Sequence, residues 1–189
     1  GVAGDWFVHR YDENAKTTIL AVADVTGHGP GAALLTAVIA TVFEECWRDG
    51  GATMPLREIL LRINRSMYFF GNGTHCATML IAKFKVGSDK MEICSAGHEF
   101  PFVLKDGQDA RKMVFRLKPS AILGMTQSID IYSKDLELPV GGTAVFYSDG
   151  LFIGDESTTE TRRRAAIKRH VATLAGRDPR TLVRETERF

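Results

Sequence analysis

Hydrophobic spacing changes period three times along this chain, and the changes mark out its elements. Residues 5–11 (DWFVHRY) alternate bulky apolar and polar positions, the period of two expected of a strand. Asp12, Glu13 and Asn14 follow as turn formers. KTTILAVADV (16–25) is a longer, β-branched, mostly apolar run suited to a buried central strand, and the two runs together read as a hairpin. The period then lengthens. Leu34, Leu35, Val38, Ile39, Val42 and Phe43 recur at helical spacing within a helix over 32–48, with Gly50–Gly51 as its stop signal. A second helix over 55–70 begins near Pro55, carries Leu56, Ile59, Leu60, Ile63 and Met67 on one face, and ends at Gly71. Period two returns in 75–86, 90–97, 101–105 and 129–139. GTAVFYSDG (142–150) reads as an apolar strand running into an aspartate. The tail from Glu160 to Phe189 reads as charged helix, broken at Gly176–Pro179.

Helices come in blocks here and do not alternate with strands. That order excludes a parallel doubly wound sheet and predicts an α+β fold, antiparallel sheets with helices on their outer faces. A length of 189 residues fits a single domain over 1–189, and 44% hydrophobic residues can supply its core. The net charge of +1, from 24 basic and 23 acidic residues, lacks the basic excess of a nucleic-acid or anionic-membrane binder. Cys46, Cys76 and Cys94 are odd in number and lack metal-knuckle spacing; two of them sit in apolar runs, where a reduced thiol behaves as a small hydrophobe. A reducing, cytoplasmic setting is expected. No uninterrupted apolar run approaches the roughly 18–20 residues of a membrane span. The chain opens directly into a motif without an initiator methionine and closes inside a helical pattern, so it is expected to be a piece of a longer protein.

Candidate chemistry lies at three strand ends. Asp5 starts a strand, Asp24 ends one and Asp149 ends another, each with glycine nearby (Gly4, Gly27, Gly150). An aspartate beside a glycine is commonly just a turn residue. Asp24 and Asp149, however, terminate the apolar runs ILAVAD and AVFYSD, where a buried carboxylate is costly without a cation. Carboxylates converging from strand tips suit a hard divalent ion such as Mg²⁺ or Mn²⁺. Two such ions can hold both a nucleophile and the group under attack. After Asp24, the loop Gly27-His28-Gly29-Pro30-Gly31 leads into a helix, and glycines at a helix N-terminus permit close approach of an anion. It lacks the lysine and hydroxyl residue of a Walker loop and the spacing of a dinucleotide fingerprint.

Gly4-Asp5-Trp6-Phe7, Ala23-Asp24-Val25-Thr26-Gly27-His28-Gly29-Pro30-Gly31-Ala32-Ala33-Leu34, Ser95-Ala96-Gly97-His98 and Tyr147-Ser148-Asp149-Gly150-Leu151 occur in that order. The set resembles the SpoIIE-type, or RsbU-like, branch of the PP2C (PPM) serine/threonine phosphatases, over essentially the whole chain. The resemblance implies a sandwich of two antiparallel β-sheets flanked by α-helices, with two Mn²⁺ or Mg²⁺ ions at one edge. It implies hydrolysis of phosphoserine or phosphothreonine by a metal-bound water without a phosphoenzyme. By position, Asp24 would bridge both metals, the Val25 carbonyl would bind one, Asp149 would ligate the other, and Asp5 would act mainly through coordinated waters. Asp24 and Asp149 would thus carry the catalysis. The implied substrate is a phosphorylated STAS-domain anti-sigma-factor antagonist. An upstream sensor or receiver domain on the same chain, and a homodimer formed through the helices at 32–48 and 55–70, are further implications.

The histidines are less informative. The acid histidine of eukaryotic relatives falls at Thr26 here, so His28 reads as a loop residue, and His98 reads as structural. Some positions depart from the family pattern: Ser95 and Glu99 flank the second motif, and Phe152-Ile153-Gly154-Asp155-Glu156 follows Gly150. The family's final strand carries an Asp-Asp-x-Thr motif that is expected beyond Phe189; Asp155 and Asp178 do not stand in that context. Two alternatives stay open: a degenerate, non-catalytic signalling module of the same fold, and a phosphatase acting on a small-molecule phosphoester.

Overall fold

A computed structural model describes residues 4–104, 111–112, 121–138, 141–152 and 159–187. The chain folds as two compact units, Gly1–Glu99 with Arg116–Glu137, and Phe100–Phe115 with Leu138–Phe189.

The first unit opens with the expected hairpin, β1 (Asp5–Asp12) and β2 (Thr17–Val25). Helices α1 (Pro30–Gly50) and α2 (Leu56–Gly71) follow, separated by a 3₁₀ turn at Gly51–Thr53. β3 (Ala77–Lys85), β4 (Lys90–Ala96) and, later in the chain, β7 (Ser133–Glu137) complete an antiparallel sheet in the order β1-β2-β3-β4-β7. Strand alternation sorts the residues between its faces. Ile19, Ala21, Ala23 and Val25 of β2 join Met79 and Ile81 of β3 and Cys94 and Ala96 of β4 in one core. Ala32, Leu35, Ile39, Phe43 and Cys46 of α1, and Ile59, Leu60, Ile63 and Met67 of α2, belong to that same core. Phe43 receives the edge of Trp6 from β1, with ring centroids 5.6 Å apart.

Pro30–Thr53 is long and apolar enough to cross a membrane by length and composition. Its inward stripe lies in the core and its last turns carry Glu44, Glu45, Arg48 and Asp49, so it packs as the core helix of this unit. Burial pushes the thiol pKa of Cys94 up to about 12 and raises that of Cys46, so both act as inert core residues.

Residues 121–132 return across α2. The buried Asn64 donates to the carbonyls of Thr126 (3.1 Å) and Gln127 (3.2 Å), and accepts from the Gly124 amide (2.9 Å). A polar side chain thus satisfies three backbone groups at a position that the helical pattern makes apolar.

In the second unit, β5 (Phe102–Leu104) pairs antiparallel with β6 (Arg111–Lys112) and with β8 (Thr143–Val145). Helices α3 (Glu160–Thr173) and α4 (Pro179–Glu187) contribute Ile167, Val171, Leu174 and Leu182 to its core, with Phe102, Leu104, Tyr147 and Phe152. The α+β class and the two antiparallel sheets agree with the sequence pattern. Two strands are shorter than expected: 129–139 reduces to 133–137, because Ile129 and Ile131 turn into the helix-side core, and 142–150 reduces to 143–145. Asp155 and the end of the helical tail at 188–189 lie outside the described residues.

Candidate metal centre

The hairpin register sets the geometry of the first half of the site. Asp5 and Asp24 are direct cross-strand partners at the open end of β1 and β2. Directly opposed residues have Cβ atoms about 4.5–5.5 Å apart on one face, and like charges so placed repel. The pair lies on the face away from the helices, since Trp6 and Ala23 take the helix side; Asp24 is half-buried and Asp5 exposed. Two opposed carboxylates form a set of hard oxygen donors suited to a divalent cation.

A third oxygen adjoins them. The Val25 amide donates to the Gly4 carbonyl (3.2 Å), and a Cβ on Gly4 would run into the Val25 carbonyl oxygen. Only glycine at position 4 lets the two backbones approach this closely, and the two opposed carboxylates beside them are donors that fit a hard cation. Thr36 of α1 reaches the same Gly4 carbonyl (3.3 Å), tying the strand entry to the helix.

Beyond Val25 the backbone is clasped to β3. The Thr26 amide donates to the Cys76 carbonyl (2.8 Å), its hydroxyl donates to the same oxygen (3.0 Å), and the Cys76 amide donates back to that hydroxyl (3.1 Å). Gly27 and Gly29 then both adopt φ of 89°, a left-handed conformation that costs a side-chain-bearing residue energy. α1 begins directly after them, at Pro30. His28 is exposed in this loop.

The Asp5–Asp24 row continues into β3 at Thr78, the cross-strand partner of Asp24. Thr78 carried no motif; its only signal is one polar position inside the apolar run of β3.

Asp149 belongs to the second unit and is held differently. It does not end a strand: β8 stops at Val145, and Asp149 opens a 3₁₀ turn, Asp149–Phe152. The flanking aromatics anchor that turn. Tyr147 is buried, stacks on Phe102 with centroids 4.7 Å apart, and meets Phe152 edge-on at 5.3 Å. Arg164 lies over the Phe152 ring, 4.2 Å from its centroid. The Leu151 amide closes the turn onto the Ser148 carbonyl (3.2 Å), leaving Asp149 exposed. Of the four expected ligands, Asp5, Asp24 and Val25 share one strand end, and Asp149 is carried by the other unit. Among the described residues, no three His, Cys, Asp or Glu side chains gather as a metal-binding group.

The architecture is that of a PP2C phosphatase domain. The solved PP2C domain of SpoIIE from Bacillus subtilis superposes with a TM-score of 0.75 at 17% identity, covering 100% of this chain and 53% of that one. RsbX, solved in complex with magnesium, gives 0.70 at 19% identity, covering 100% of this chain and 81% of that one. Residues 14–188 match the family described as Stage II sporulation protein E (SpoIIE), and the chain belongs to that family. One relative is the phosphoserine phosphatase RsbU of Bacillus subtilis (strain 168), 24% identical over 151 residues, 79% of this chain. The chain spans 43% of the length of RsbU.

Proposed function

We propose that this chain is a Mn²⁺- or Mg²⁺-dependent phosphatase domain that hydrolyses phosphoserine or phosphothreonine in a protein substrate. The observation that carries this reading is the opposed Asp5–Asp24 pair at one end of the hairpin, in a chain of the SpoIIE family. Asp24 and Val25 would hold a divalent ion directly and Asp5 would support it; Asp149 is a ligand by family resemblance alone. When bound, divalent ions supply charge stabilisation for the phosphoryl oxygens and lower the pKa of water toward neutrality. The chain's own part is placement. The β1–β2 register keeps two carboxylates on one face, the Thr26–Cys76 clasp holds the glycine loop against β3, and Gly4 lets the strand entry pack closely on Val25.

The activity named for RsbU and the magnesium bound to RsbX support the reaction class and the metal. The Rsb relationship supports a phosphorylated STAS-domain protein as substrate, within a partner-switching system. A homodimer through α1 and α2 is supported by exposed apolar side chains there, Leu34, Phe69 and Phe70. Sedimentation across micromolar concentrations checks it, and a monomer throughout refutes it.

The decisive experiment is Mn²⁺-dependent release of phosphate from p-nitrophenyl phosphate and from a phosphorylated STAS-domain protein. Asp24→Ala should reduce both by roughly 100-fold or more, since even outer partners of a metal ligand are worth 10- to 100-fold. Unchanged turnover in Asp24→Ala would refute the site. Turnover of nucleotides or sugar phosphates in preference to the phosphoprotein would move the substrate class.

A further inference from the structure

We infer that Thr78 and His98 form a positioning pair for the metal centre, in which a hydroxyl set by a buried imidazole orients the Asp24 carboxylate. The inference rests on the metal-centre reading above and adds two residues to it.

Thr78 lies directly opposite Asp24 in the β2–β3 ladder, so the two side chains share a face at a separation of about 4.5–5.5 Å between Cβ atoms. Its hydroxyl oxygen is 2.7 Å from Nδ1 of His98. That histidine is 7% exposed, and its backbone is fixed on both sides by one hydroxyl. Ser95 Oγ accepts from the His98 amide (3.2 Å) and donates to the His98 carbonyl (2.9 Å). Gly97, at φ of 68°, completes the arrangement: the place of its missing Cβ is 3.7 Å from the Thr78 methyl and 3.4 Å from Ile122. A side chain at position 97 would crowd the Thr78 methyl, and with glycine there the β-branched side chain keeps its oxygen on the imidazole. Threonine here has little freedom to turn.

The proton count gives the pair its function. A threonine hydroxyl has one proton to donate and can accept as well. With the His98 proton on Nδ1, the imidazole donates to Thr78 Oγ1, and the hydroxyl proton is left to serve the neighbouring carboxylate. Carboxylates that bind metals are held by such outer hydrogen bonds, and losing one costs 10- to 100-fold in affinity. A purely structural Thr–His contact would affect folding and leave metal affinity alone.

Calorimetric titration of the chain with MnCl₂, to millimolar metal, separates the two. Thr78→Val keeps the shape and removes the hydroxyl; it should weaken Mn²⁺ binding 10- to 100-fold. Thr78→Ser keeps the hydroxyl and should remain within about twofold of the native chain, near the limit of additivity comparisons. His98→Leu should weaken binding as Thr78→Val does. His98→Asn, which returns an amide donor near the place of Nδ1, should recover most of the affinity. The double variant Thr78→Val/His98→Leu should bind no more weakly than the worse single variant, because both remove one interaction. Native affinity in Thr78→Val, or additive losses in the double variant, would overturn the pair while leaving the metal centre standing. Absence of Mn²⁺ binding by the native chain would instead remove the centre itself, and the pair with it.

Discussion

Asp24 and Asp149 are held by two different devices. Asp24 is a rung of a ladder: its neighbours on both sides, Asp5 and Thr78, are set by strand register, and a slip of one residue would send it to the opposite face. Asp149 is the tip of a short turn anchored by buried aromatics, with Tyr147 on Phe102 and Phe152 against Tyr147. A ladder places a carboxylate through many backbone hydrogen bonds, so single side-chain changes leave the position standing. An aromatic anchor places it through two or three packed rings, so its position depends on those rings.

Tyr147→Ala should show the largest effect. Removing a buried, stacked aromatic costs about 3–5 kcal/mol, read by denaturant unfolding, and phosphatase activity should fall with it because the Asp149 turn loses its anchor. On the Asp24 side a truncation such as Phe43→Ala should cost stability too, but backbone pairing should keep the carboxylate in register. Next in size is the effect of the metal. Mn²⁺ at a hundred times its dissociation constant should add about 2.7 kcal/mol to the stability of the native chain. Asp24→Asn should abolish that increment in a thermal melt; a full increment in the variant would place the metal elsewhere. Gly4→Ala is smaller, about 1–3 kcal/mol for an overpacked contact. It should also weaken Mn²⁺ binding, because the backbone at the Val25 carbonyl has to shift. The smallest effect is at the far end of the hairpin, where the Ala15 amide donates to Asp12 (2.9 Å) and holds its carboxyl below the ordinary value of 3.8. The folded pKa is depressed, so this contribution is complete above 3.8 and is lost as pH falls through the lower folded value. An NMR titration of Asp12 should show that low midpoint.

The same contrast explains what could be read from the residues alone. The β1–β2 hairpin was legible because alternation and turn formers are local, and so was the placing of Asp5 and Asp24 at strand ends; Val25 came only from the family resemblance. α1 and α2 were legible through their apolar stripes. The segment ending at Asp149 was not: AVFYSD looks like a buried strand, yet Tyr147 is buried by stacking in the core and the ladder stops at Val145. Ile129 and Ile131 misled in the same way, being apolar for the core of the first unit and not for a strand. Asn64 and Thr78 were at most lone polar positions in apolar patterns, because the partners that define them, residues 124–127 and Asp24, lie about fifty or more positions away in sequence. Short-range pattern cannot report a long-range hydrogen bond.

That separation in sequence has a kinetic side. The Thr26–Cys76 clasp joins residues 50 positions apart, with both helices in between. Closing a loop of that length carries an entropic cost that grows as the logarithm of its length, and contacts of that kind slow folding. The Asp5–Asp24 rung, by contrast, lies within one hairpin and joins residues 19 positions apart. The two carboxylates can therefore meet on the timescale of a hairpin, while the glycine loop beside them is fixed only once β3 has docked. The acidic rung of the site is therefore expected to form before the loop that borders it is set.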